Sequence, residues 1–168
     1  MQLYREEENN MKKRVLTAVL AAALVTGTCA ATVSAKEEKT YTIGICQLVQ
    51  HDALDAATKG FEDAITEKMG DSVKFDEQNA QGDSNTCSTI INSFVSEGTD
   101  LILANATASL QAAAAGTSDI PILGTAVTEY GVALGIDDFD GTVGGNISGT
   151  SDLAPLDEQA DMLHELFP

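Results

Sequence analysis

Residues 41–65 constrain the fold of this chain more than any other stretch. They begin with a short run of apolar and β-branched residues, Tyr41–Cys46, which predicts a buried strand, and a polar break follows. From Leu54 the apolar residues recur at intervals that place them on one face of a helix. A buried strand, a loop and an amphipathic helix together predict the first half of a βαβ unit.

The same alternation of strand and helix recurs along the chain. The predicted strands are 41–46, 73–76, 100–104, 120–125 and 146–150, and the predicted helices begin near Leu54, Ser84, Ala108 and Pro155. Residues 78–84 and 105–107 are predicted loops, and 129–145 predicts an exposed loop or a short irregular element. Because apolar strands alternate with amphipathic helices, the sequence predicts an α/β fold with a doubly wound parallel sheet.

The N-terminal residues 1–35 predict a secretory signal peptide. A basic segment at 11–14 precedes an apolar segment at 15–25, and the small residues at 33–35 form a cleavage site. Residues 1–10 are acidic and unlike the start of a signal peptide, which favours initiation at Met11. We therefore expect an extracytoplasmic protein, either periplasmic or on the cell surface.

Charge and cysteine usage narrow the class of partner. The net charge of −17 predicts a surface that repels nucleic acid and anionic lipid headgroups, so a small or neutral ligand is expected.

Cys29 is a candidate lipidation site, which would be the one link to a membrane, but the residues before it do not resemble a lipobox. Cys46 and Cys87 lack the spacing of a zinc or redox motif and are interpreted as small buried residues, with a disulfide left open by export.

No motif in the chain indicates an enzyme, a metal or a cofactor. His51 and His164 lie far apart, and the sequence has no G-x-S-x-G, H-E-x-x-H or Walker motif. Polar residues instead follow the predicted strands, where helix N-termini favour an anion such as an α-carboxylate, and Asp152 is suited to an α-amino group. The polar residues at this predicted edge are Gln47, Asn105, Thr107, Thr125, Thr128, Ser151 and Asp152.

Four segments carry a resemblance to a known family. They are the segment that reads I-G-I-C-Q-L-V-Q-H-D-A-L-D-A-A-T-K-G-F, the later L-I-L-A-N-A-T, then P-I-L-G-T-A-V-T, and G-G-N-I-S-G-T-S-D-L-A-P. In order and spacing they resemble the tryptophan/tyrosine-type substrate-binding proteins of ABC transporters, which are type I periplasmic binding proteins. The resemblance covers nearly all of residues 41–168. It implies two doubly wound lobes that close on a small ligand, with no cofactor and no bond-making.

The resemblance also implies a domain plan and a set of ligand-binding residues. Residues 36–150 correspond to the N-terminal lobe, and 151–168 correspond to the crossing segment and the first helix of the second lobe, so the chain resembles a lobe truncated before its partner. The residues implied for the cleft are Gln47, His51, Ala106, Thr107, Thr125, Ala126, Thr128, Ser151 and Asp152.

The function that follows is a solute-binding protein of an ABC importer, with a permease as its partner and an aromatic amino acid as its ligand. One alternative is a sugar-binding protein of the same fold, which the absence of Trp disfavours because sugar sites stack aromatic rings on the ligand. Another is a non-functional fragment of a truncated gene. A secreted flavodoxin-like enzyme or receiver domain is disfavoured because the first strand ends in Cys46 and Gln47, without an acidic cluster for magnesium.

Overall fold

The computed structural model describes residues 39–167, so the predicted signal peptide and Cys29 lie outside the described residues. Five parallel strands form one sheet in the order β2-β1-β3-β4-β5. The strands are β1 (Tyr41–Gln47), β2 (Val73–Asn79), β3 (Leu101–Asn105), β4 (Ile122–Val127) and β5 (Ile147–Ser151). The helices are α1 (Asp52–Met69), α2 (Ser84–Glu97), α3 (Thr107–Gly116), α4 (Tyr130–Leu134) and α5 (Leu156–Leu166).

The two faces of the sheet carry separate apolar clusters, as a doubly wound sheet requires. Alternate residues of a strand point to opposite faces, and Ile43 and Ile45 of β1 accordingly pack toward Phe61 and Ile65 of α1. The opposite face belongs to the larger core, which α2, α3 and α4 cover. Its fully buried members include Cys46, Cys87, Ile91, Phe94, Ile102, Leu110, Ala113 and Val127. The predicted α/β fold with a doubly wound parallel sheet is confirmed.

Local capping explains where the first two helices begin. The His51 side chain accepts a hydrogen bond from the Ala53 N–H at the start of α1, and the Asp83 carboxylate accepts one from the Thr86 N–H at the start of α2. These bonds satisfy N–H groups that have no partner inside the helix. The bond from Thr86 lowers the pKa of the Asp83 carboxyl. Gly98 ends α2 with φ of 71°, a left-handed conformation that glycine adopts without steric cost.

Several predicted boundaries were wrong. Strand β2 continues through residues 78 and 79 because they pair with Cys46 and Gln47, and Asn105 belongs to β3 because it also pairs with Gln47. Residues 129–145 are not wholly irregular, since they contain α4.

The last helix, α5, lies apart from both clusters. Its apolar residues Leu156, Met162, Leu163 and Leu166 are between 52% and 64% exposed. Acidic residues occupy its first turn, which complements the partial positive charge at a helix N-terminus. Among residues 39–167, no helix has the length and apolarity needed to cross a membrane.

Candidate functional site

The carboxyl ends of the central strands meet at one edge of the sheet. Gln47 of β1 pairs with Asn105 of β3, and Asn105 pairs in turn with Thr125 of β4. The last residue of β5, Ser151, pairs with Val127 of β4. Most of the residues that the sequence predicts for a ligand site therefore lie at or just beyond four adjoining strand ends, where α/β sheets bind ligands.

Gln47 is the most deeply buried of the nine residues implied for the cleft, with 1% of its surface exposed. Its amide nitrogen donates to the Val49 carbonyl at 3.0 Å and to the Asp55 carboxylate at 2.6 Å. Its amide oxygen accepts a 2.7 Å bond from the Thr58 hydroxyl. The side chain is thus engaged with its own loop and with α1, and it holds residues 48–51 at the strand end.

His51 lies at the exposed end of this first loop. Its Nδ1 atom accepts the bond from Ala53, so a neutral ring carries its proton on Nε2. Its backbone N–H also lies 3.4 Å from the Asp55 carboxylate. This hydrogen bond therefore fixes the ring at the start of α1, and the Nε2–H group of the neutral ring takes no part in it.

The N-terminus of α3 differs from those of α1 and α2, because no side chain caps it. The residue before it, Ala106, has φ of 93° and ψ of 161°, a conformation that is strained for any residue with a Cβ. Thr107, the first helical residue, is exposed. The first N–H groups of a helix have no partner within it and together favour an anion. This end of α3 is therefore suited to a carboxylate.

The ends of β4 and β5 supply the remaining predicted residues. Ala126 has φ of 53°, so it is a second strained residue near Ala106. The Ser151 hydroxyl donates a 2.7 Å bond to the Thr128 carbonyl, and the Asp152 N–H donates to the Val127 carbonyl at 3.2 Å. These bonds fix the backbone while the side chains of Thr128 and Asp152 stay exposed.

Tyr130 supports this part of the edge from the larger core. Its hydroxyl donates to the Thr150 carbonyl at 3.2 Å. The ring covers Gly124 and Gly149, and a Cβ at Gly149 would lie 2.1 Å from the Tyr130 oxygen. Burial raises the pKa of the Tyr130 phenol, and the Asp152 charge raises it further.

Sequence reasoning missed the polar network behind the first loop. Thr58, on α1, is 3% exposed and accepts a 2.9 Å bond from the Asn105 amide, which also donates to the Leu54 carbonyl. The signal was present, because Thr58 follows Leu54 by four residues and precedes Phe61 by three, which places it on the apolar face of the helix. The Asn105 amide oxygen is buried without a hydrogen-bond partner.

A separate groove lies on the α1 face of the sheet. It has a volume of about 390 Å³ and shares only Thr125 with the predicted residues. It is lined by Ala57, Phe61, Leu103, Leu123, Gly124, Thr125, Ser148, Gly149 and Thr150. Within the described part of the chain, no group of three or more His, Cys, Asp and Glu residues is arranged to hold a metal ion.

Comparison with known proteins identifies the family. The model of the family described as ABC transporter substrate binding protein matches residues 42–168. The chain belongs to this family. Substrate-binding proteins of ABC transporters are thus its relatives, and the resemblance read from the four sequence segments is confirmed.

The relatives of this chain include one whose name states a ligand. The Tyrosine-binding protein of Clostridioides difficile (strain R20291) is 46% identical over 134 aligned positions, and the alignment covers 78% of this chain and 39% of that protein. The chain thus spans less than half the length of this curated relative.

Solved structures of the same fold give a matching result. One is the ligand-free, open structure of a substrate binding protein with adhesive properties from Clostridium difficile, with TM-score 0.68, 43% identity and coverage of 75% of this chain and 43% of that one. Another is an ABC domain in complex with L-Trp from Streptococcus pneumoniae, with TM-score 0.68, 33% identity and coverage of 74% and 43%. A conserved domain protein from Vibrio cholerae has TM-score 0.70 at 33% identity, with coverage of 77% and 45%.

Proposed function

We propose that this protein is an extracytoplasmic solute-binding component of an ABC importer, that its ligand is an aromatic amino acid, and that it catalyses no reaction. The observation that carries the proposal is the uncapped N-terminus of α3 at the strand-end edge. A relative named as a tyrosine-binding protein and a solved relative with bound L-Trp support the choice of ligand.

In this proposal the α-carboxylate lies at the N-terminus of α3, beside Ala106 and Thr107. The helix end offers N–H donors and the positive end of its dipole. The exposed Asp152 carboxylate pairs with the α-ammonium group, because the hydrogen bond from its N–H to Val127 keeps it at the same edge. His51 offers a donor from the opposite side of the edge.

The other predicted residues have supporting roles. Gln47 positions the first loop through its buried amide, and Ser151 fixes the turn after β4 through its bond to the Thr128 carbonyl. Thr125 and Ala126 form the floor of the site between the strand ends.

We also propose that residues 36–150 form one lobe and that 151–168 are the crossing segment and first helix of a second lobe. The exposed apolar face of α5 supports this division.

The test is a calorimetric titration of the full chain with tyrosine, tryptophan and phenylalanine. Tyramine, which lacks the carboxylate, and N-acetyltyrosine, in which the ammonium group is blocked, are the matched controls. We expect saturable binding of at least one amino acid and much weaker binding of both controls. Equal binding of tyramine and tyrosine would contradict the carboxylate assignment.

The sugar alternative and the fragment alternative are tested by the same titration. A panel of pentoses and hexoses serves as the second set of ligands. Binding of a sugar and of no amino acid would replace the proposal with the sugar-binding alternative. A folded chain that binds neither class would contradict the proposal that this chain itself binds solute.

A further inference from the structure

Two cysteines from distant parts of the chain meet in the larger core. Cys46 lies next to the end of β1, and Cys87 lies in the first turns of α2. Both residues are fully buried. Each sulfur lies 3.6 Å from the hydroxyl oxygen of Ser109, on α3, so the two sulfurs are separated by no more than twice that distance.

The surroundings of the Cys46 thiol keep it un-ionised. Burial raises the pKa of the Cys46 thiol to about 12, the Ser109 hydroxyl opposes this effect, and the nearby Cys87 adds to it. A thiol with so high a pKa reacts slowly, because the thiolate is the nucleophile in disulfide exchange. Because both side chains are also fully buried, the folded protein protects the pair from random oxidation.

We propose that Cys46 and Cys87 form a dithiol site that a small-molecule disulfide oxidises to an intramolecular disulfide, which links β1 to α2 beneath the first loop. Neither the family assignment nor the proposed ligand requires this link. The disulfide would replace the contacts that both sulfurs make with the Ser109 hydroxyl.

The chemistry balances with the small disulfide as oxidant. One protein thiolate attacks a sulfur of the small disulfide, breaks its S–S bond and releases one small thiolate. The second protein thiolate attacks the protein sulfur of this mixed disulfide and releases the second small thiolate. The two protons lost by the protein thiols protonate the two released thiolates, so one protein disulfide forms as one small disulfide is reduced.

Burial sets when this reaction occurs. Both sulfurs are closed to solvent in the folded chain, so the oxidant reaches them before α2 docks on the sheet or during a local opening. We therefore expect fast closure during refolding and slow closure in the folded protein. The covalent link then stabilises the fold by restricting the unfolded chain between residues 46 and 87.

The experiment uses the full chain with Cys29→Ser, so that only Cys46 and Cys87 can react. The reduced protein is refolded with oxidised glutathione, the remaining thiols are alkylated, and peptides are mapped by mass spectrometry. We expect a linked peptide containing Cys46 and Cys87 as the main product, and a melting temperature higher by roughly 5–10 °C that returns to its starting value with reductant.

Cys29→Ser with Cys87→Ala is the matched control, since Cys46 alone can capture glutathione but cannot close the link. It should show no oxidant-dependent rise in melting temperature. If that variant does not fold, the Cys29→Ser protein held in reductant provides the uncrosslinked reference. Three results would overturn the proposal. They are glutathione bound separately to each cysteine, two thiols that remain unreacted, and a linked protein that melts at a lower temperature than the reduced one.

Discussion

The N–H of Ala106 donates a 3.0 Å hydrogen bond to the carbonyl of Thr125, which joins the ends of β3 and β4 at the proposed site. Ala106 has φ of 93°, and Ala126, which follows Thr125, has φ of 53°. Backbone in such regions costs about 1–3 kcal/mol per residue and is concentrated at functional sites. Two neighbouring strand ends thus hold strained residues where α3 begins.

Replacing Ala106 with glycine should stabilise the protein. Relief of the strain gains about 1–3 kcal/mol, and the added backbone freedom of glycine costs about 0.5–1 kcal/mol, so we expect a net gain of about 1 kcal/mol. The measurement is the free energy of unfolding in denaturant. Ala115→Gly, at an exposed position in α3, is the control and should lose about 0.5–1 kcal/mol. Equal losses in both variants would contradict the strain at Ala106.

Thr58→Val should destabilise the protein through the network behind the first loop. Valine has nearly the same shape, but it removes the 2.7 Å donor to Gln47 and the 2.9 Å acceptor for Asn105. Buried polar groups left without a partner cost about 1–3 kcal/mol, which is the loss in unfolding free energy we expect. The exposed Thr66→Val on the same helix is the control and should change stability by less than about 0.5 kcal/mol. A similar small change for Thr58→Val would show that the network adds little.

The strands and long helices of this fold could be predicted because their apolar residues recur with clear periods. The stretch 129–145 could not, since α4 has only five residues, too few to show a helical period. Its cap, the Glu129 carboxylate that accepts bonds from Gly131 and Val132, is not a pattern of hydrophobicity. The predicted strand β2 ended too early. Its polar last residues belong to the strand because they pair with β1, and the local sequence does not encode that pairing.

The candidate site was predictable in position but not in the role of each side chain. The ends of strands mark the edge, and the polar residues that follow them are visible in the sequence. Whether a polar side chain meets solvent or the interior depends on long-range partners. The Gln47 amide forms hydrogen bonds with Asp55 and Thr58 on α1, and Asn105 lies buried beside it. Spacing alone gives no sign of these contacts.

Tyr130 should make stability depend on alkaline pH. Because its folded pKa is raised above the unfolded value of about 10, its contribution is fully present below that pH and is lost as pH rises through the folded pKa. We expect unfolding free energy to fall less between about pH 9 and about pH 11 in Tyr130→Phe than in the unmodified protein. Tyr41→Phe, at a half-buried position in β1, is the control. An unchanged pH profile in Tyr130→Phe would contradict this role.

Asp152→Asn should weaken amino acid binding. The substitution keeps the size of the side chain and removes the charge proposed to pair with the α-ammonium group. A hydrogen bond to a charged group contributes about 1.5–3 kcal/mol, so we expect the dissociation constant to rise about tenfold or more by calorimetry. Asp161→Asn, on the exposed α5, removes the same charge away from the edge and should bind normally. Equal affinity in the two variants would remove Asp152 from the site.

Thr107→Pro tests whether the N-terminus of α3 binds the carboxylate. Proline is tolerated at the first position of a helix because the N–H that it lacks would have no partner inside the helix. The variant therefore loses one proposed ligand donor while the helix can still form. Thr107→Ala removes the same side chain but keeps the N–H. We expect calorimetry to show about tenfold weaker amino acid binding for Thr107→Pro than for Thr107→Ala, at similar melting temperatures. If the two variants bind alike, the backbone of Thr107 does not hold the carboxylate, and the anion site must be sought at another strand end.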